Sequence, residues 1–144
     1  MRRVTLLLGL ILATGPALAV DYLSVVDATA MYDAPSQKAK PLFAIARGTP
    51  VETVVTVEGW VKVRDQKGAL AWIEKRHLSD KRMVMVSADR AQVRAQAEDK
   101  AVLAFEAVQD VVLELLEPAA SGWARVQHRD GQQGYVKASQ VWGL

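Results

Sequence analysis

Cysteine is absent from the 144 residues, and its absence removes every thiol nucleophile, thiolate metal ligand and disulfide. A chain without cysteine has to hold itself together by packing alone. Histidine is scarce as well, with only His77, in a basic run, and His128, beside a glycine-bearing turn. Neither a His-Glu-x-x-His zinc helix nor a Gly-x-Ser-x-Gly elbow can be found. The carboxylates are scattered, with no pair that local spacing would hold together. The triplet "HRD" at 128–130 stands without any other part of a kinase and reads as a polar hairpin. The expectation is therefore a protein that is not an enzyme, with no catalytic residue, no cofactor and no metal.

A charge excess is missing too. The chain carries 18 Lys+Arg against 16 Asp+Glu, and both surplus cations are Arg2 and Arg3, so residues 20–144 are neutral. Nucleic-acid binding would require a clustered basic face, and adhesion to an anionic membrane a polybasic run. The one long apolar run, "VTLLLGLILATG", is shorter than the ~20 residues of a bilayer span. It follows Arg2-Arg3, is broken by Pro16 and leads to the small residues "ALA" at 17–19. That order is a secretory signal peptide over residues 1–19, cleaved after Ala19. The expected location is the periplasm, with no membrane insertion after cleavage. "RRVTLL" lacks the aromatic of a twin-arginine signal, and no cysteine is available for lipid attachment.

Aromatics make up 6% of the chain, yet they are not spread evenly. Trp60 and Trp72 lie twelve residues apart, and so do Trp123 and Tyr135. Sliding the chain by 63 residues places Gly59-Trp60 on Gly122-Trp123, Lys62-Val63 on Arg125-Val126, and Trp72-Ile73 on Tyr135-Val136. Upstream, smaller offsets pair Val51 with Val111, Lys40 with Lys100 and Met31 with Val93. Two copies of one unit follow: residues 20–79 and 83–144, joined by a short linker at 80–82. Residues 20–82 carry ten cations against eight anions and residues 83–144 six against eight, a slight asymmetry that would let the copies pair.

Each copy reads as β. "PVETVVTV" at 50–57 is rich in β-branched residues, and in "WVKVRD" the valines 61 and 63 alternate with Trp60, Lys62 and Arg64. "DQKG" and "RDGQQG" are polar turns joining two such runs into hairpins. Against this, "AEDKAVLAFEAVQDVVLELLE" at 97–117 consists of good helix formers that would align Val102, Phe105, Val112 and Leu116 on one face. Its counterpart in the first copy holds Gly48, Pro50 and a β-branched run, which a helix tolerates poorly. Strands are therefore expected in both.

With these residues in hand, each copy resembles a bacterial SH3-like (SH3b) domain. The shared pattern is Gly-Trp-x-Lys/Arg-Val, a polar glycine turn, then Gly-Trp-Val. It stands here as "GWVKV…KG…AWI" and "GWARV…DGQQGYV", with "AQVRAQA" (91–97) and "ATAMYDAPS" (28–36) as opening strands. Ala71 replaces the second glycine in the first copy, and Tyr135 the tryptophan in the second. The resemblance implies an all-β protein of two tandem small SH3-like β-barrels, each of five to six strands. It also implies a non-catalytic binding module acting at the bacterial cell wall.

The candidate ligand-binding residues are Trp60, Lys62 and Arg64, an aromatic on a polar strand face, with Trp123 and Arg125 as their echo. Tyr32, in the opening strand, and Tyr135 complete the set. Trp72 reads as part of the barrel and Trp142 as a staple for the C-terminus. Lys75, Arg76, His77, Lys81 and Arg82 read as solvated surface at the joint. The expected partner is peptidoglycan or an envelope protein or peptide. The alternative is a structural subunit or homo-oligomer whose aromatic faces are buried in assembly.

Overall fold

The structure, a computed structural model, describes residues 20–144; the expected signal peptide lies outside the described residues. The first unit contains β1 (Tyr22–Val25), β2 (Thr29–Tyr32), β3 (Pro41–Ile45), β4 (Pro50–Val57), β5 (Trp60–Arg64), β6 (Leu70–Glu74) and β7 (Leu78–Ser79). The second contains β8 (Met83–Val86), β9 (Arg90–Arg94), β10 (Leu103–Val108), β11 (Val112–Ala120), β12 (Trp123–Gln127), β13 (Gln133–Lys137) and β14 (Val141–Trp142). Each set forms one antiparallel sheet, ordered β3-β2-β6-β5-β4-β1-β7 and β10-β9-β13-β12-β11-β8-β14, so the second repeats the first strand for strand.

Alternation builds each core. Val61 and Val63 of β5 and Ala71 and Ile73 of β6 are at most 3% exposed, while their neighbours in the strand lie on the other face. Six strands of the first sheet send residues into one cluster, among them Val25, Met31, Ile45, Val51, Val63 and Ile73. A single sheet whose strands all reach one core has to curl around it. The second unit does the same with Val86, Val93, Ala107, Leu113, Val126 and Val136. Each fully buried side chain of this size contributes about 1.5–3 kcal/mol. The sheets differ from the expected barrel in two respects. Each has seven strands, because a 3-10 turn (Lys75–His77 in the first unit) leads into a short strand that pairs with the first. And β3 and β7 remain edges, so hydrogen bonding does not close the sheet.

The helix-forming segment holds no helix: a loop up to Val102 leads into β10 and β11, as the repeat requires. Val102, which a helix would have put on its apolar face, is 77% exposed, whereas Leu113 is fully buried. Asp110, at φ 71° in the turn between β10 and β11, interrupts any helical path. Pairing of β10 with β9 and of β11 with β8 and β12 overrides the local preference.

The register corrects two of the upstream pairings. Leu23 faces Val51 as Val84 faces Leu113, so Leu113, not Val111, is the counterpart of Val51. Asp33 N–H donates to the Lys40 carbonyl as Ala95 N–H donates to that of Val102, so Lys40 matches Val102 rather than Lys100. Lys100 misled because an exposed loop lysine carries no register information. The offset then rises by one because β4 has one irregularity, between Thr53 and Val55, and β11 has two. Pro118 falls in the second of these, where its missing N–H costs the ladder nothing.

The units are docked on each other. The ring of Tyr22 meets that of Trp142 edge-on at 5.2 Å and 83°. The Arg82 guanidinium lies 5.6 Å from the Tyr22 ring and donates to the Gly143 carbonyl at 2.8 Å. Buried Ser24 donates to the Lys81 carbonyl at 2.7 Å, and Lys81 pairs with Glu114 at 3.7 Å. Trp142 pairs opposite Met85 of β8, stapling the C-terminus to its own sheet as the sequence suggested, and its ring in addition meets the first unit. Lys81 and Arg82 are exposed, as expected of a solvated run, and also make contacts at this junction.

Two expectations follow. A Cβ on Gly134 would sit 2.6 Å from the Arg94 carbonyl oxygen and 2.7 Å from Val93 Cγ1. Gly134→Ala is expected to destabilise the protein by roughly 1–3 kcal/mol, read as a lower Tm in thermal denaturation; an unchanged Tm would show that β9 and β13 separate freely. Trp142→Ala is expected to split a single calorimetric transition into two, because it uncouples the units; retention of one sharp transition counts against the docking role.

Candidate functional site

Because Val61, Val63, Ala71 and Ile73 point inward, Trp60, Lys62 and Arg64 on β5 and Trp72 and Glu74 on β6 share the outer face. The register sets Lys62 opposite Trp72 and Trp60 opposite Glu74, and brings Tyr32 of β2 opposite Trp72 from the other side. Tyr32 and Trp60 meet edge-to-face, with ring centroids 5.6 Å apart and planes at 84°. Tyr32, Trp60 and Trp72, each half-buried, therefore share one outer face on three adjacent strands, with the rings of Tyr32 and Trp60 in contact. Trp72 is the residue that sequence reasoning assigned to the barrel. The signal that places it outside is the alternation itself, since both its neighbours, Ala71 and Ile73, are core.

Glu74 shares this face and is held in place. It accepts from Gln37 Nε2 at 3.0 Å and from Arg76 Nε at 2.7 Å. The hydrogen bond from Arg76 holds its carboxyl below the ordinary value of 4.5, against an opposing effect of burial. Arg64 does not join the aromatics; its Nη1 pairs with Glu52 of β4 at 3.0 Å. Of the predicted set in this unit, Tyr32, Trp60 and Lys62 come together and Arg64 is drawn aside.

The second unit keeps the scaffold and changes the chemistry. Arg94 stands where the first unit has Tyr32, Tyr135 where it has Trp72, and Lys137 where it has Glu74. Lys137 Nζ lies 5.8 Å from the Trp123 ring and pairs with Asp99 at 2.6 Å, which lowers the Asp99 pKa. Arg125 donates to Glu117 at 2.8 Å and to Gln133 at 3.2 Å. Trp123, Arg125 and Tyr135 thus share one face, but among the described residues no second ring meets Trp123 there, and its cations Arg125 and Lys137 are paired with Glu117 and Asp99. The turns differ as well: Asp65 Oδ1 accepts from the backbone of Lys67 and Ala69, and His128 Nδ1 accepts from Asp130 in the equivalent turn.

Among the described residues no group of three or more His, Cys, Asp or Glu is placed to hold a metal, and no helix is long and apolar enough to cross a membrane.

A model of the bacterial SH3 domain matches residues 25–80 and, a second time, residues 87–143. The chain belongs to the bacterial SH3 domain family. Both matched segments carry the outer face just described, one copy each. Solved structures similar to this tandem of bacterial SH3 domains include NlpC2 from Trichomonas vaginalis, at 14% identity and a TM-score of 0.41, covering 88% of this chain and 49% of that one. NlpC1 from the same organism is similar at 15% identity and a TM-score of 0.40, over 90% of this chain and 48% of that one. An NlpC/P60 family protein from Bacillus cereus is similar at 15% identity and a TM-score of 0.40, over 85% and 56% of the two chains. The chain thus spans about half the length of these structures. No curated protein matches it.

Glu74 supplies a pH reporter inside the aromatic face. Its lowered pKa means that its contribution to stability is present above pH 4.5 and lost as the pH falls through the lower folded value. Replacing its main partner, Arg76→Ala, is expected to move the Glu74 carboxyl titration, followed by NMR, back up toward 4.5. An unmoved titration would mean that Arg76 is not its anchor.

Proposed function

We propose that this protein is a non-catalytic binding module of the bacterial cell envelope, exported to the periplasm after cleavage behind Ala19. Two SH3-like barrels, residues 20–79 and 83–144, present their outer faces to peptidoglycan or to an extended peptide of an envelope protein. The observation that carries this reading is the aromatic face of Tyr32, Trp60 and Trp72, left half-exposed on the first unit although the core has no use for it. Large rigid rings stack on sugar faces and peptide planes at little entropic cost, which is why tryptophan and tyrosine dominate binding hot spots. Lys62 and Glu74 give the face a charge of each sign at its rim. In the second unit Trp123, Arg125 and Tyr135 form the weaker counterpart. Arg64 supports the first face indirectly, through Glu52.

Pull-down on isolated sacculi and on envelope extracts, with tryptophan fluorescence as the direct readout, tests the proposal. Trp60→Ala and Trp72→Ala are each expected to weaken binding by about 30-fold, the scale of a hot-spot residue, with a smaller effect from Trp123→Ala. Binding that neither substitution weakens, or none at all, refutes it. A dimer that dissociates on Trp60→Ala would assign the face to assembly instead.

A further inference from the structure

A second concave site lies where the two units meet, away from the aromatic faces. A cleft of about 560 Å³ runs along the junction, with Val25, Gly48, Met83 and Val112 among its lining and Arg47 and Arg129 at its rim. A neighbouring hollow of about 480 Å³ shares the same two arginines and is also lined by Asp110. Volumes of this size, at a boundary between domains and with an apolar floor, are those of ordinary ligand sites. Gly48 marks how closely the units approach: a Cβ there would lie 3.4 Å from Val112 Cγ2.

The charges around the cleft are unbalanced. Arg47 comes from the turn between β3 and β4, which Thr49 Oγ1 closes by donating to the Ala46 carbonyl at 2.7 Å. Arg129 comes from the turn between β12 and β13, closed by Gly131 N–H to the His128 carbonyl at 2.9 Å. Both guanidiniums are thus carried by short, hydrogen-bonded turns, one from each unit. Neither makes an ion pair among the described residues, whereas Arg64, Arg76, Arg90 and Arg125 all do. Lys81 also lines the cleft, already engaged with Glu114.

We infer that this cleft binds the free C-terminal carboxylate of an extended peptide whose last side chain is small and apolar. A guanidinium fork matches a carboxylate in two parallel hydrogen bonds, and two forks from opposite walls would clamp one. The apolar floor takes the final side chain, which a bare inorganic anion does not possess. Lys81 lines the same cleft and Asp110 does not, so the terminus seats between the arginines there rather than in the neighbouring hollow that Asp110 lines. Because each unit supplies one arginine, the site exists only while the units are docked.

The test is an NMR titration of the ¹⁵N-labelled protein with three probes: an N-acetylated peptide ending in alanine, its C-terminal amide, and inorganic phosphate. The acid is expected to shift the amides of Gly48, Val112 and Arg129, and to bind at least about tenfold more tightly than the amide or phosphate. Arg47→Ala and Arg129→Ala, both exposed and neutral to folding, are each expected to weaken it about tenfold. Equal binding of acid and amide overturns the proposal, as does phosphate binding as tightly as the acid. So do shifts confined to the outer face around Trp60 and Trp72, or no binding.

Discussion

The burial of alternate side chains of seven short strands in one small cluster is the constraint on which each unit depends. With no disulfide to help, the inner positions are filled by valine, isoleucine, leucine, methionine and alanine, most of them sealed from solvent. A strand cannot choose its faces separately. Once Val61, Val63, Ala71 and Ile73 are inside, Trp60, Lys62, Trp72 and Glu74 are outside and on adjacent strands. The aromatic face is therefore a by-product of core packing in position, though not in chemistry. The residues that fill it are free to change, and in the second unit they have.

That freedom shows in the comparison of the copies. Inner residues exchange only among apolar types, as Val51 does with Leu113 and Ile73 with Val136. Outer residues change charge and class, from Tyr32 to Arg94 and from Glu74 to Lys137. One scaffold thus carries an aromatic face with mixed charge and a second face whose tryptophan is accompanied by cations. A membership in the bacterial SH3 domain family explains the scaffold; the chemistry of each face comes from the side chains that the core does not constrain.

Much of this was legible in the chain. The twelve-residue spacing of aromatics located both hairpins, and the comparison of copies correctly overruled the helical composition of 97–117. Trp60 and Lys62 were picked out by a polar face beside alternating valines and Tyr32 by its place in the opening strand; the rings of Tyr32 and Trp60 meet, and Lys62 lies on the same outer face, opposite Trp72. Trp72 was missed because a tryptophan next to an isoleucine looks like core until the alternation is followed through Ala71. Arg64 was included because local spacing cannot show a partner on another strand, here Glu52. Contact between the units was suggested by the short linker and the charge asymmetry, but its residues were not legible: Tyr22 and Trp142 stand at opposite ends of the described chain, and nothing local links them.

The edge-on contact of Tyr22 with Trp142 also bears on how the protein would carry load. It ties the first strand of the described chain to the last by their side chains, so force applied between those ends loads this contact as well as the sheets. Tension would peel the units apart at the junction, away from the outer faces of β2, β5 and β6. Separation of the units under load would thus break the junction while leaving both sheets folded.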